Sequence, residues 1–380
     1  MTPRAYNGWI IGGTLALLTP LLVLNLLLLA NDTRHDKNRL ASEWQQQTGG
    51  VTYPPPISNN QAFKILRLAD RLPEIDAVVF GSSTMLTVGA EVFPPGWRLY
   101  NFAQTGNPLL NVIGETEALL DMPQSRVRLL VVPLDWALGF VYAEGTAPRL
   151  ELIAANVPAP RPISWDSALR EAMSLPRSQA LVATLAEIAR SNDRAGASRR
   201  LFYEAADEPY RCADGALARD FDPLFRGKCV GFRADGSATF ADQKRVSEAS
   251  APAVLAQAAS ASSQYARALR AVPAESLLAQ LSRLQQAARS KNVRILFLMP
   301  PLLPQLDARL AASAHSGDKL SGTKAALAQW AARENATLVD AGPSERFGCT
   351  ATEFIDAHHA WPSCYRKIFA QLQALPVLKP

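Results

Sequence analysis

Residues 76–85 read Asp-Ala-Val-Val-Phe-Gly-Ser-Ser-Thr-Met. A short apolar run closed by a glycine is the signature of a strand buried on both faces, leaving the sheet at a tight turn. Four further runs have the same character: Trp97–Asn101, Val127–Pro133, Val293–Met299 and Thr337–Asp340. Between and beyond them, apolar residues recur at helical spacing in 61–72, 108–121, 274–290, 322–334 and 363–374. Strand and helix alternate along the chain, which predicts an α/β domain with a doubly wound parallel sheet.

Two regions fall outside this alternation. Residues 150–270 are rich in Ala, Arg, Ser and Pro and poor in strand runs. We expect a mostly helical insertion there, with a linker at Pro158–Pro162, a helix over Ser164–Asn192 and an irregular lobe over 203–242. At the other end, Gly8–Ala30 holds 23 residues without a charge. At 1.5 Å per residue it spans about 34 Å, enough for a hydrocarbon core of about 30 Å. This predicts a membrane anchor over 1–30, with Trp9 at its interface. Residues 31–60 are polar and include Tyr53-Pro54-Pro55-Pro56, so they read as a tether. The main domain then covers 61–380. Basic residues flank both ends of the anchor, Arg4 on one side and Arg34, Lys37 and Arg39 on the other. By that count alone the main domain stays in the cytoplasm.

Composition narrows the function. The chain has 380 residues, 48% hydrophobic and 19% charged, so a large core can be buried. The net charge of +5 is spread without long like-charge blocks, which argues against a dedicated nucleic-acid binder. No phosphate-cradling glycine loop or dinucleotide fingerprint is present, and no cofactor is expected.

Chemistry concentrates at two places. Ser82 and Ser83 lie on the turn after the first strand of the domain, where open α/β sheets bind ligands. A serine there also serves as an ordinary helix cap. A nucleophilic serine needs a base, and the base needs a carboxylate to orient it. The chain has four histidines. His35 adjoins the anchor and His315 sits in a polar stretch, which leaves His358 or His359, within Asp356-Ala-His-His359. These three residues do not have the spacing of a zinc site, and no metal is expected.

Together these stretches resemble the SGNH, or GDSL-like, hydrolase superfamily. Gly81-Ser82-Ser83 is similar to its first block, with Ser82 in place of the family's aspartate. Asp356-Ala-His-His359 matches its final D-x-x-H block. The resemblance implies a flavodoxin-like sheet, Ser83 as nucleophile, His359 as base and Asp356 as its partner. Asn101-Phe-Ala-Gln-Thr-Gly106 keeps the ends of the second block, which implies that the Gly106 N–H binds an oxyanion. The third block is replaced by Pro133-Leu-Asp135-Trp136. An ionised aspartate accepts hydrogen bonds and cannot replace the family's asparagine donor. Asn107, beside Gly106, is the substitute donor to test. Membrane-anchored relatives with G-S-S in the first block resemble proteins of cell-envelope acyl transfer, such as alginate O-acetylation and D-alanyl-lipoteichoic acid proteins.

Four cysteines complete the picture. Cys212 and Cys229 bracket a short segment of the insertion, and Cys349 and Cys364 bracket Asp356–His359. Two local disulfides are the simplest of three connectivities, and such bonds persist outside the cytosol. Against the charge count, this favours a single-pass protein of a bacterial inner membrane with a periplasmic domain. The expected function is an esterase or O-acyltransferase on an acylated envelope glycan, with a membrane-bound acyltransferase as the candidate partner. The alternative is an inactive glycan-binding or assembly protein of the same fold.

Overall fold

The computed structural model describes residues 3–34, 37–53, 60–135, 165–196, 198, 209–221, 227–240, 245–268 and 273–380. Pro54–Pro56, Trp136, the Pro158–Pro162 linker and Ser164 lie outside the described residues. The chain divides into two compact units.

The first unit comprises Met1–Phe63 and Pro158–Gly231. It opens with α1 (Pro3–Arg34), whose stretch Gly12–Ala30 has a mean hydropathy of 2.2 and is long and apolar enough to cross a membrane. The segment expected to be a tether instead carries α2 (Lys37–Thr48) and β1 (Val51–Tyr53). Lys37, Ala41, Trp44 and Gln45 recur at helical spacing on the buried side of α2. Only two of these are apolar, so the polar composition conceals the helix. All three residues of β1 are buried.

Among the described residues of the insertion, helix outweighs strand, but the details differ from those expected. Its expected single helix is broken into α5 (Trp165–Ala172) and α6 (Leu175–Arg190). Pro176 lies in the first turn of α6, where its missing N–H would be unpaired anyway and its ring has no preceding helical carbonyl to clash with, so a new helix starts there. Short strands follow: β5 (Tyr210–Arg211), β6 (Leu217–Asp220) and β7 (Val230–Phe232). They join β1 in the order β5-β6-β1-β7, with β1 parallel to β6 and β5 antiparallel to it. Thr52, Arg219 and Gly231 break the apolar runs of β1, β6 and β7, and β5 has only two residues, so none stands out in the sequence. The Cys212–Cys229 disulfide is formed in this unit.

The second unit comprises Lys64–Val157 and Phe232–Pro380. α3 (Gln61–Arg71) leads into it. A parallel sheet forms its centre, made of β2 (Ala77–Val79), β3 (Leu99–Asn101), β4 (Leu129–Pro133), β9 (Arg294–Met299) and β10 (Thr337–Asp340). These five strands match the five expected runs. Their spatial order is β3-β2-β4-β9-β10, the 2-1-3-4-5 order of a doubly wound sheet. β4 lies between two partners and every residue in it is buried, which is why its sequence is an unbroken apolar run.

Helices α4 (Leu109–Leu120), α9 (Glu275–Ser290), α11 (Gly317–Arg333) and α12 (Pro362–Leu372) occupy the expected helical stretches. α11 starts five residues early because Ser316 and Gly317 are buried in its first turn. Shorter elements are β8 (Ala238–Phe240), α7 (Ala251–Ala258), α8 (Gln264–Ala268) and α10 (Leu306–Ala311). Trp330 of α11 packs edge-on against Phe297 of β9 with ring centroids 5.0 Å apart, anchoring one helix to the sheet.

The strand order reverses between β2 and β4. In such sheets the crevice beyond the carboxyl ends of these two strands is the habitual ligand site. Ser83 follows β2, and Asp135 follows β4.

Candidate active site

After β2 the chain turns at Gly81, where φ is +135°. A Cβ there would lie 2.5 Å from Pro133 Cγ and 2.8 Å from Met85 Cγ, so only glycine lets this turn press against the end of β4. A 3₁₀ turn over Ser83–Met85 follows, capped by Ser82. Ser82 and Thr84 are buried, while Ser83 between them is partly exposed. Ser82 Oγ donates to Asp135 Oδ2 at 2.8 Å and Thr84 Oγ1 donates to the same oxygen at 3.1 Å. The turn is thus tied to the end of β4, and the accessible hydroxyl of the three is that of Ser83.

The partner residues come from a loop closed by an antiparallel bridge between Phe354 and Ala360. Inside it, Asp356 Oδ1 accepts the backbone N–H groups of His358 and His359 at 2.9 and 3.0 Å. Asp356 Oδ2 lies 2.7 Å from His359 Nδ1. His359 Nε2 lies 2.8 Å from Ser83 Oγ. A neutral imidazole donates from one nitrogen only. With Nδ1–H held by the carboxylate, Nε2 is the acceptor for the serine proton. The structure therefore brings Ser83, His359 and Asp356 into one hydrogen-bonded chain and leaves His358 beside it.

Two contacts hold this loop and the helix α12 that follows it to the serine turn and the residues after it. Thr87 Oγ1 donates to the Ala360 carbonyl at 2.7 Å, and Tyr365 Oη donates to the Thr84 carbonyl at 2.7 Å. The Cys349–Cys364 disulfide closes the chain around the loop. Neither Thr87 nor Tyr365 carries a sequence signal, since each is an ordinary residue until the loops are brought together.

Electrostatics separates the neighbouring groups. Burial pushes the Asp356 carboxyl up, but the His359 hydrogen bond and the nearby imidazoles outweigh it and hold it well below the usual carboxylate range. Burial, helped by the adjacent His359, pulls the His358 imidazole down to about 4. Its ring lies against that of His359, tilted by 40° with centroids 4.1 Å apart, and its Nδ1 lies 2.5 Å from Tyr265 Oη. Burial raises the Tyr265 hydroxyl, which keeps it protonated as a donor to that nitrogen. Tyr265, Asp356 and His358 also line an open cleft of about 390 Å³, together with Gln257, Ser260 and Ser262.

The loop after β3 lies against the serine turn. Asn101 Nδ2 donates to the Met85 and Val88 carbonyls at 2.7 and 2.8 Å, and its Oδ1 accepts the Ala103 N–H at 2.8 Å. The Gln104 N–H donates to the Gly81 carbonyl at 2.9 Å. The fully buried Lys64 ammonium donates to the Asn101 carbonyl at 2.8 Å, and burial lowers its pKa to about 7. Gly106 has φ +67° with open space around it, so its glycine is required by backbone conformation and not by crowding.

The structure gives other tasks to two residues of the expected oxyanion region. Asn107 Nδ2 donates to Glu115 Oε2 at 2.8 Å, while Gln104 Nε2 donates to Glu115 Oε1 at 3.0 Å. One Asn107 N–H is therefore held by a buried carboxylate, which fixes the orientation of the amide. Asp135 accepts from two hydroxyls and braces the serine turn.

Asp356, His358 and His359 are also close enough together to be considered as metal ligands. Both nitrogens of His359 and the Nδ1 of His358 already lie within hydrogen-bond distance of protein groups. A metal would have to break the Ser83–His359–Asp356 chain. Comparison of the chain with protein-family models, curated proteins and solved structures found no match.

Proposed function

We propose that this chain is a membrane-anchored, SGNH-like serine esterase or O-acyltransferase whose catalytic part faces the periplasm and acts on an acylated envelope glycan. The observation that carries this reading is the hydrogen-bonded chain from Ser83 Oγ through His359 to Asp356, at the switch point of a doubly wound sheet. The two disulfides and the apolar helix Gly12–Ala30 support the location.

The chemistry is a double displacement. Ser83 Oγ attacks the acyl carbonyl carbon while His359 Nε2 takes its proton, and Asp356 stabilises the imidazolium. The carbonyl oxygen becomes an oxyanion, for which the Ser83 and Gly106 N–H groups are the assigned donors. The intermediate collapses to a Ser83 ester, and the leaving alcohol takes the proton from His359. Water or a glycan hydroxyl then gives its proton to His359 and attacks the ester, and the serine is regenerated. The cleft beside Asp356 and His358, rich in Ser and Gln, suits a hydroxyl-bearing acceptor.

A second reading rests on Asp135. It accepts from Ser82 and Thr84 where the resemblance expects a side-chain donor, which favours an inactive binding or assembly protein of the same fold. One experiment separates the two. The full chain in detergent is treated with a fluorophosphonate and assayed on aryl acetates, beside Ser83→Ala. The catalytic reading expects a single adduct on Ser83 and a fall in hydrolysis of about 10³-fold or more in the variant. Hydrolysis unchanged by Ser83→Ala overturns it.

A further inference from the structure

One side of α1 has a partner within the first unit. Leu21, Leu24 and Leu28, spaced along one side of the helix, pack with Ala180, Leu181, Leu185 and Ile188 of α6. Between them, Asn25 is buried and its Nδ2 donates to the carbonyl of Ala172, the last residue of α5, at 2.9 Å. An amide inside an apolar helix needs such a partner wherever water is excluded.

This contact fixes a depth. Asn25 precedes Ala30, the end of the apolar stretch, by five residues, or about 8 Å along the axis. If Gly12–Ala30 lies in hydrocarbon, the turn between α5 and α6 sits at the level of the outer part of the bilayer.

The outward side of the same hairpin has the composition this position requires. Trp165, Leu169 and Met173 recur every four residues on one side of α5 and its turn, and all are exposed, Trp165 by 83%. Leu175 and Val182 continue the surface on α6, and Leu18, Val23 and Leu27 are exposed on α1. Asp166 and Arg170, paired with each other, flank the α5 stripe. Arg177 is fully buried and so adds no charge to this surface. An apolar stripe carrying a tryptophan, with charges along its flank, is the pattern of a helix lying in a membrane interface.

We infer that the α5–α6 hairpin is a second membrane element, lying in the headgroup–acyl boundary against α1, with Trp165, Leu169, Met173, Leu175 and Val182 in contact with lipid. The inference rests on the anchor reading of α1.

The test uses the full chain in bilayer nanodiscs of phosphatidylcholine, brominated near either the glycerol end or the methyl end of its acyl chains. The emission of Trp165 is isolated as the difference between the wild type and Trp165→Phe. Because Trp165 is exposed, this change leaves the fold intact. A Leu18→Trp change in the Trp165→Phe background reports on the anchor. We expect glycerol-end bromine to quench the Trp165 signal by more than about half, methyl-end bromine to quench it less, and aqueous iodide to have little access. Quenching of the Leu18 probe without quenching of Trp165 overturns the inference and leaves the anchor reading standing. In that case, iodide access means that the hairpin lies in water, and shielding from iodide means that protein covers it. If neither probe is quenched, the anchor reading falls and the inference with it.

Discussion

His358 and His359 are neighbours in sequence with their rings 4.1 Å apart, yet they have different tasks. His359 is held between a carboxylate and a serine hydroxyl, while His358 is buried against Tyr265. The pKa of His358 falls from the ordinary 6.5 to about 4 in the folded chain. Between those two pH values the unfolded chain binds a proton that the folded chain refuses. Stability therefore falls as pH drops through this window, by at most about 1.4 kcal/mol per pH unit for the one group. The depressed Asp356 carboxyl acts lower, since its contribution is present above the ordinary carboxylate pKa and is lost only as pH falls below it. Urea unfolding at pH 7 and pH 5 should show a larger loss for the wild type than for His358→Gln. Equal losses would mean that His358 is not buried in its neutral form.

At the level of elements, Asp135 joins the end of β4 to the turn after β2. Its replacement by alanine leaves the buried Ser82 and Thr84 hydroxyls without their acceptor. We expect Asp135→Ala to cost about 1–3 kcal/mol in urea unfolding. A Ser82→Ala, Thr84→Val, Asp135→Ala combination should lose less than the sum of its parts, because all three changes remove one network. The same element shows where sequence reasoning stops. The strands around it are legible because burial on both faces demands apolar runs. His359 is reachable because the chain has few histidines and Asp356 lies three residues before it. The position of Asp135 is legible too, but its role is not, because the two hydroxyls that claim it lie more than 50 residues away. The Asn107–Glu115 contact is hidden for a related reason: nothing in an Asn-Pro-Leu-Leu stretch tells which way an amide points. β1, β6 and β7 escape because Thr52, Arg219 and Gly231 break their apolar runs, and β5 because it has two residues.

For the whole molecule, the separation of chemistry from support matters most. The Cys349–Cys364 disulfide closes a loop with a sequence separation of 15 that carries both Asp356 and His359. Replacing both cysteines by serine should lower stability by about 3 kcal/mol in the chain-entropy model. Thermal unfolding of that variant against the oxidised wild type measures this, and an unchanged midpoint would show that the loop is restrained by its hydrogen bonds alone. The path of the chain has a consequence in time. Ser83 and His359 are 276 residues apart. At a synthesis rate of about 5–20 residues per second, roughly 14–55 s pass between the appearance of the serine and that of its base. Throughout that interval the growing polypeptide carries the Ser83 hydroxyl without the imidazole that meets it in the folded chain. Under the proposed mechanism, an interrupted translation product that ends before residue 356 has neither the base nor its carboxylate and is chemically silent.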